Sequence, residues 1–377
     1  MKKIIKYTFA FLIFLNCNSA GQKFVYKNIP DSYINKVAVT AKERLSILNG
    51  LKDLFYIEKS LPVNYVQNGS VDYTAIVQAA IDKHRVVVFP NFPILINEKG
   101  LTVGSNSILY FPEKSKILLK SNTLPQYEVI RIHDVENVKV YFPNIQGDRY
   151  DHIDKSGEWG MGISIRGTKN ILIYGAKVEK CWGDGIYLGI SPVTNSAINN
   201  NVTIKKSFVN DNRRNGMSII SAQNLIVDNF LAANTYGTAP NAGIDIEPDH
   251  NTDIIRNLYF KDIVSYNNAS HGFLFVLGNL YGKKNDIGKI TLNNLKVING
   301  DLGISFRIGS EKEMNFKPFG EIEINNIKFE NLNKQEFFSY QENERNNFQV
   351  KIKTNDSKNL NRYKSFFNNS QKIMIIR

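Results

Sequence analysis

Between residues 160 and 310 the chain repeats one short phrase: a glycine, an apolar residue, a variable residue and a second apolar residue. It reads Gly162-Ile163-Ser164-Ile165, Gly185-Ile186-Tyr187-Leu188, Gly216-Met217-Ser218-Ile219, Gly243-Ile244-Asp245-Ile246, Gly272-Phe273-Leu274-Phe275 and Gly303-Ile304-Ser305-Phe306. The glycines stand 23, 31, 27, 29 and 31 residues apart. A second apolar segment, opening on Asn170, Asn201, Asn224 or Asn257, follows each phrase, and a third follows near Val178, Val209, Leu231, Val264 and Val297. These segments are rich in Ile, Val and Phe, are bounded by Asn, Gly and Asp, and lack the 3.6-residue period of helices, so they read as short strands. A repeat of this size cannot bury its own apolar face, so the repeats must stack. Three short strands per repeat predict an all-β coil whose strands pair from rung to rung about 4.8 Å apart.

Ahead of the repeats, Val71-Asp72-Tyr73-Thr74-Ala75-Ile76-Val77-Gln78-Ala79-Ala80-Ile81-Asp82 leads into Val86-Val87-Val88-Phe89-Pro90. Asp72 is placed to cap a helix, and Ile76, Ala79 and Ala80 give it one apolar face. Together with the glycine strands, this opening resembles the right-handed parallel β-helix superfamily of pectate lyases, polygalacturonases, phage tailspikes and alginate epimerases. The resemblance covers roughly residues 65 to 330. It implies a single-stranded right-handed parallel β-helix solenoid with an N-terminal capping helix, and a protein that acts on polysaccharide. Residues 66–330 then form the β-helix, 21–65 a lead-in, and 331–377 a last rung or capping tail. In the lead-in, residues 41–55 predict a helix with Leu45, Leu48, Leu51 and Phe55 near one face.

The first twenty residues read as an export signal. Lys2, Lys3 and Lys6 precede the apolar run Phe9–Leu15, which is too short to span a bilayer, and small residues at Ser19 and Ala20 suit cleavage. A lipid anchor at Cys17 is the alternative, although Asn16 and Phe14 fit a lipobox poorly. No other segment reads as membrane-spanning. With the signal removed, Cys181 has no intrachain partner, so stability must come from core and ladder. The formal charge is +12, and +9 without the three lysines of the signal. An exported basic protein is suited to a polyanion. Nucleic acid is disfavoured because no basic-aromatic binding module is present; an anionic polysaccharide fits export and fold together.

Alternation along the glycine strands turns the residues one and three after each glycine inward and those two and four after it outward. Extra residues fall mostly after the glycine strand, at 190–200, 248–256 and 278–288, with a further lengthening at 234–241 before one. Insertions at one turn of several rungs build a wall, and the face beside it becomes a groove. Asp245 and Glu247, two apart on one strand, share that face about 6.5–7 Å apart. Adjacent carboxylates split each other's affinity for protons, as acid/base work requires, and the spacing lies at the short end for a water-spaced glycosidase pair. The alternatives are a solvated surface or a calcium site of Asp245, Glu247 and Asp249; no other cofactor is expected. Tyr187 projects onto the groove, where it could stack on a sugar or donate a proton.

Resemblance adds further candidates. Trp182-Gly183-Asp184-Gly185 is similar to the Asn-x-Asp-Gly rung of polygalacturonases, which implies a catalytic Asp184; as a plain sequence feature it is a turn aspartate. His271-Gly272 resembles their His-Gly motif, and Arg307-Ile308 their Arg-Ile-Lys. The departures are large. The paired-aspartate rung is missing, Arg307 is displaced and no lysine follows it. Arg213, Arg214 and Arg307 are expected to hold an anionic chain, with Asp148 and Arg149 at one end of the groove and Trp159 as a sugar platform. The preferred function is glycosidic hydrolysis by Asp245 and Glu247, with Asp184 as alternative acid. The rivals are a lyase or epimerase on a uronic acid polymer, using Tyr187 or His271, and a glycan-binding solenoid without catalysis.

Overall fold

The computed structural model describes residues 23–310, 313–339, 347–354, 357–366 and 373–376. The export signal and Cys17 lie outside them. The described strands form two parallel sheets, one of sixteen strands and one of nine, wound as a solenoid. The nine-stranded sheet contains the glycine strands. It runs in sequence order from Leu101–Thr102 through Gln126–His133, Trp159–Arg166, Ile186–Gly189, Met217–Ile219, Ala242–Ile246, His271–Val276 and Leu302–Arg307 to Gln335–Ser339.

The repeated glycine is imposed by space. Amides of the glycine and of its successor both donate to the next rung: Gly185 to Asn215 O at 3.1 Å and Ile186 to Gly216 O at 3.1 Å. Alternation is broken there, and both residues turn inward. A Cβ on Gly216 would lie 2.5 Å from Gly243 O, and one on Gly272 2.3 Å from Val297 Cγ1. The residues one and three after the glycine fill the core as expected. Ile163, Ile186, Met217, Ile244, Phe273 and Ile304 stand in register, beside Ile165, Leu188, Ile219, Ile246, Phe275 and Phe306, and all are buried.

The second and third segments of the later repeats are one bent strand each: Asn199–Asn210, Ala222–Ala233, Ile255–Tyr266, Asp286–Ile298 and Phe319–Glu330. Each bends at a left-handed residue: Lys206, Asn229, Asp262, Asn294 and Asn326, with φ between 48° and 59°. Asparagine tolerates that conformation and its amide can also bond along the stack. At the preceding corner Asn137, Asn170 and Asn201 have φ of 58°, 57° and 64°. Each donates to the asparagine one rung below, Asn106, Asn137 and Asn170 respectively, at 2.8–3.1 Å.

Two helical expectations shift. The helix Thr74–Lys83 covers the end of the core with Val77, Ala80 and Ile81, while Ala79 is exposed and Ile76 only half-buried. Tyr73 is its N-cap; Asp72 stands one residue earlier and accepts from Thr74 N at 2.9 Å. The helix Ala41–Gly50 stops before Phe55, which pairs as a strand with Val87. Its Leu45 is 59% exposed, so only Leu48 and Leu51 pack on the core from the expected face before that strand. The chain cannot continue helically because Asp53 takes φ 55°.

Residues 23–37 lie along the outside of the large sheet. Lys27 exchanges two bonds with the side chain of Asn234, Asn267 donates to Val25 O, and Val37 packs on Leu231, Val264 and Ile298. Beyond residue 330, Gln335–Ser339, Phe348–Lys353 and Ile373–Ile376 continue the two ladders, so the tail adds regular strands.

Candidate active site

The outward face of the nine-stranded sheet carries one continuous column two residues after the glycine position: Thr102, Arg131, Ser164, Tyr187, Ser218, Asp245, Leu274, Ser305 and Phe338. Parity named the side of the sheet correctly. It did not give exposure: Ser164, Ser218, Asp245 and Ser305 are wholly buried beneath their neighbours, and Tyr187 is half-buried.

Arg214 is the hub of an acidic cluster. Its Nη1 lies 3.1 Å from Asp184 Oδ2 and 3.4 Å from Ser218 Oγ, and its Nη2 3.6 Å from Glu247 Oε2. Asn215 joins the parts: its backbone N donates to Asp184 Oδ1 at 3.0 Å, and its Nδ2 to Ser218 Oγ at 2.9 Å and Asp245 Oδ2 at 3.0 Å. Asp184 and Asp245 are wholly buried, and burial is the main reason both carboxyls are raised above the ordinary range. For Asp184, Arg214 opposes the rise. For Asp245 the charge of Glu247 adds to it, and Asp245 Oδ1 has no hydrogen-bond partner among the described residues. Glu247 is 25% exposed at its side chain and is the member that meets solvent. Against the effect of burial, Asp184, Asp245 and Glu247 hold the Arg214 guanidinium above its usual value. Asp249, which keeps solvent contact, is pushed up to about 6 by desolvation, then by Asp253 and Glu247. Among the described residues no three His, Cys, Asp or Glu side chains are placed to hold a metal ion.

A second cluster lies toward the N-terminal end of the same face. Glu128 accepts from Ser164 Oγ at 2.8 Å and pairs with Arg166 Nη2 at 3.1 Å. His133 Nε2 lies 3.1 Å from Ser164 Oγ. Arg166 also covers the ring of Tyr187, 4.6 Å from its centroid. Gly189 makes room for that ring: a Cβ there would lie 2.5 Å from Tyr187 Cε1. Glu128 and Arg131 escaped the repeat alignment because Val129 stands where later rungs have glycine.

Several expected substrate contacts are internal. Asp148 is buried and accepts from Tyr127, from Asn122 Nδ2 at 2.9 Å and from His152 at 2.7 Å. Arg149 is buried, bonded to Asp211 Oδ1 at 2.9 Å and stacked 3.8 Å from the Tyr236 ring. Arg213 stacks on Trp182 at 3.8 Å and donates to Gly157 O. These groups, read above as binding groups, brace the loops that wall the face. His271 is also buried, bonds Ser305 Oγ at 2.7 Å, and is pushed down to about 4 chiefly by burial. It stands three rungs from Asp184 in its column and has no bond to the Arg214 cluster. Trp159 remains 38% exposed at the start of its strand. Arg307 ends the strand Leu302–Arg307 half-buried, opposite Val276.

This winding, with a polar column on one outer face, can be compared with solved structures. A polygalacturonase from Erwinia carotovora ssp. carotovora superposes with a TM-score of 0.57 at 13% identity, over 82% of this chain and 90% of that one. The fold is that of the pectin-lyase-like right-handed β-helix proteins. A family 28 exopolygalacturonase of Yersinia enterocolitica gives 0.54 at 10% identity over 80% and 71% of the two chains. The A-module of the mannuronan C-5 epimerase AlgE6 of Azotobacter vinelandii gives 0.50 at 14% over 79% and 80%. At these identities the likeness is one of fold. No protein-family profile matches the β-helix. By sequence it is similar to two proteins of Bacillus subtilis (strain 168). The SPbeta prophage-derived uncharacterized protein YorA is 30% identical over 162 residues, 39% of this chain and 28% of that one. The uncharacterized protein YclG is 28% identical over 187 residues, 44% and 32% respectively. The chain therefore spans about a third or less of either relative. Among the described residues no helix is long and apolar enough to cross a membrane.

Proposed function

We propose that this β-helix is an exported enzyme that hydrolyses glycosidic bonds of a polysaccharide, with Asp245 and Glu247 as its acid/base pair. One observation carries the reading: a sealed carboxyl pushed well up stands two residues from a carboxylate in contact with solvent, on the outward face of the sheet. Burial and the neighbouring charge favour the protonated form of Asp245. In this scheme the pair protonates the departing glycosidic oxygen as its bond to the anomeric carbon breaks. It then recovers a proton from the water that adds to that carbon. Glu247 is the group that meets the sugar, and Asp245 holds the proton behind it. Asp184, Arg214 and Asn215 are positioning residues that fix both carboxyls. The test is a panel of acidic and neutral polysaccharides, read in the same wells for reducing ends and for absorbance of unsaturated uronate. Glu247→Gln should lower release of reducing ends by about 10²–10⁴-fold with the fold intact. Undiminished activity in that variant would refute the assignment.

A lyase or epimerase acting on a uronate polymer is the second reading, supported by Tyr187 between Arg166 and the Arg214 cluster. Burial raises the Tyr187 hydroxyl, which suits a proton donor better than a base. Absorbance appearing with the reducing ends would establish lyase chemistry.

A further inference from the structure

The polar column continues past the acid pair toward the N-terminal end of the face, where it meets a cavity of about 410 Å³. Arg131, Lys99, Gln78, Asn97 and Thr102 are among its lining residues. The lining carries two cations and no carboxylate. Two acids beside it are engaged: Asp72 accepts from Asn97 Nδ2 and Asp82 from Gln78 Nε2, each at 2.7 Å; Glu98, next to Lys99 in the same turn, is not among the lining residues. Glu128 is taken by Arg166 and His133. Arg131 is held in place without an ion pair among the described residues. Its Nε donates to Thr102 Oγ1 at 3.0 Å and its Nη1 to Glu128 O at 3.5 Å. Gly100 permits this placement, since a Cβ there, at φ 60°, would lie 3.2 Å from Arg131 Nη1 and 2.0 Å from Glu128 O. Lys99 projects from the same turn, is exposed, and is in no ion pair among the described residues.

Arg131, Ser164, Tyr187, Ser218 and Asp245 occupy successive rungs of one column. Four rung steps place Arg131 about 19 Å from Asp245 along the face. A polysaccharide chain lying down the column would span both.

We propose that this cavity is a distal subsite for an acidic unit of the polysaccharide, its anionic group taken by Arg131 and Lys99 while the scissile bond lies at Glu247. A guanidinium whose other donors are fixed presents the rest to a carboxylate or sulfate at little cost in ordering. Arg149, Arg213 and Arg214 are taken by internal contacts; Arg131 and Lys99 at the N-terminal end are in no ion pair among the described residues. The subsite rests on the reading of this face as a glycan groove, but not on the chemistry at Asp245.

The test is affinity electrophoresis of the full chain through polygalacturonate, alginate, dextran sulfate and neutral dextran, at low and raised salt. At least one anionic polymer should retard the protein, and neutral dextran should not. The carboxylated and sulfated polymers separate the two sources of charge. Lys99→Ala, at an exposed residue, and Arg131→Ala, checked for folding by thermal melting, should each weaken retardation about tenfold. Arg131→Lys should recover part of the loss, and raised salt should shrink the difference between variants. The subsite is overturned if no anionic polymer retards the protein, if both alanine variants bind as the parent does, or if neutral dextran loses binding equally. Binding through Arg131 without hydrolysis of any polymer would leave the subsite standing and remove the hydrolase reading.

Discussion

Replacing Arg214 with Met should be severe at neutral pH and mild in acid. The change keeps most of the side-chain bulk and removes the charge that faces Asp184 Oδ2 at 3.1 Å. That pair has side-chain exposures of 13% and 0%, so the carboxylate left behind has no access to water. Breaking one side of such a buried pair costs about 3–5 kcal/mol. The contact with Glu247, at 3.6 Å and 25% exposed on the acid, adds at most about 1 kcal/mol. Asp184 is already raised by burial, with Arg214 opposing the rise; without Arg214 it rises further. Below the unfolded value of about 3.9, Asp184 is neutral in both states and the penalty is small. As pH climbs through the folded value, folding must either retain a proton or bury a charge, and the deficit grows to its full size. Urea melts of Arg214→Met against the parent at about pH 4 and pH 8 measure this directly. Asp184→Asn in the Arg214→Met background should return stability to within about 1–2 kcal/mol of the parent, because a matched neutral pair leaves no unpaired charge. A deficit equal at both pH values, or one that Asp184→Asn does not relieve, would refute the account of the cluster.

Gly189→Ala should cost about 1–3 kcal/mol by driving the new methyl into the Tyr187 ring, and Tyr187→Ala in the same chain should relieve most of that loss in a thermal melt. Asn170→Ala should destabilise by about 1–2 kcal/mol because φ is 57° there, whereas Asn170→Gly should be milder; denaturant titration of the two separates backbone strain from the lost Asn137 bond. Asp249 is raised to about 6, so its protonation should leave an inflection near that pH in the activity profile, absent in Asp249→Asn. The same raised value means that any stability Asp249 contributes is fully present below about pH 4 and is lost as pH rises through 6. An unchanged profile in Asp249→Asn would exclude it from the titration of the site.

The sequence by itself determined the winding. Spacing of the glycines, the inward pair after each, and the asparagines at the corners are local demands: no room for a Cβ, an apolar core, a left-handed bend. Each is met by a narrow set of residue types, so each leaves a mark at a fixed place in most repeats. The column of Tyr187, Ser218 and Asp245 followed from the same period, since side-chain direction alternates along a strand. Only the tertiary structure decided which polar groups on that face are free. Arg149, Arg213 and Arg214 look alike in sequence to Arg131 and Lys99. They differ because Asp211, Trp182 and Asp184, brought from other rungs, occupy them first. The end of the helix Ala41–Gly50 and the covering of Leu231 and Val264 by residues 23–37 were likewise settled by packing. Exposure is a property of what lies on top, and in a stack of rungs those atoms come from residues some thirty or more positions away.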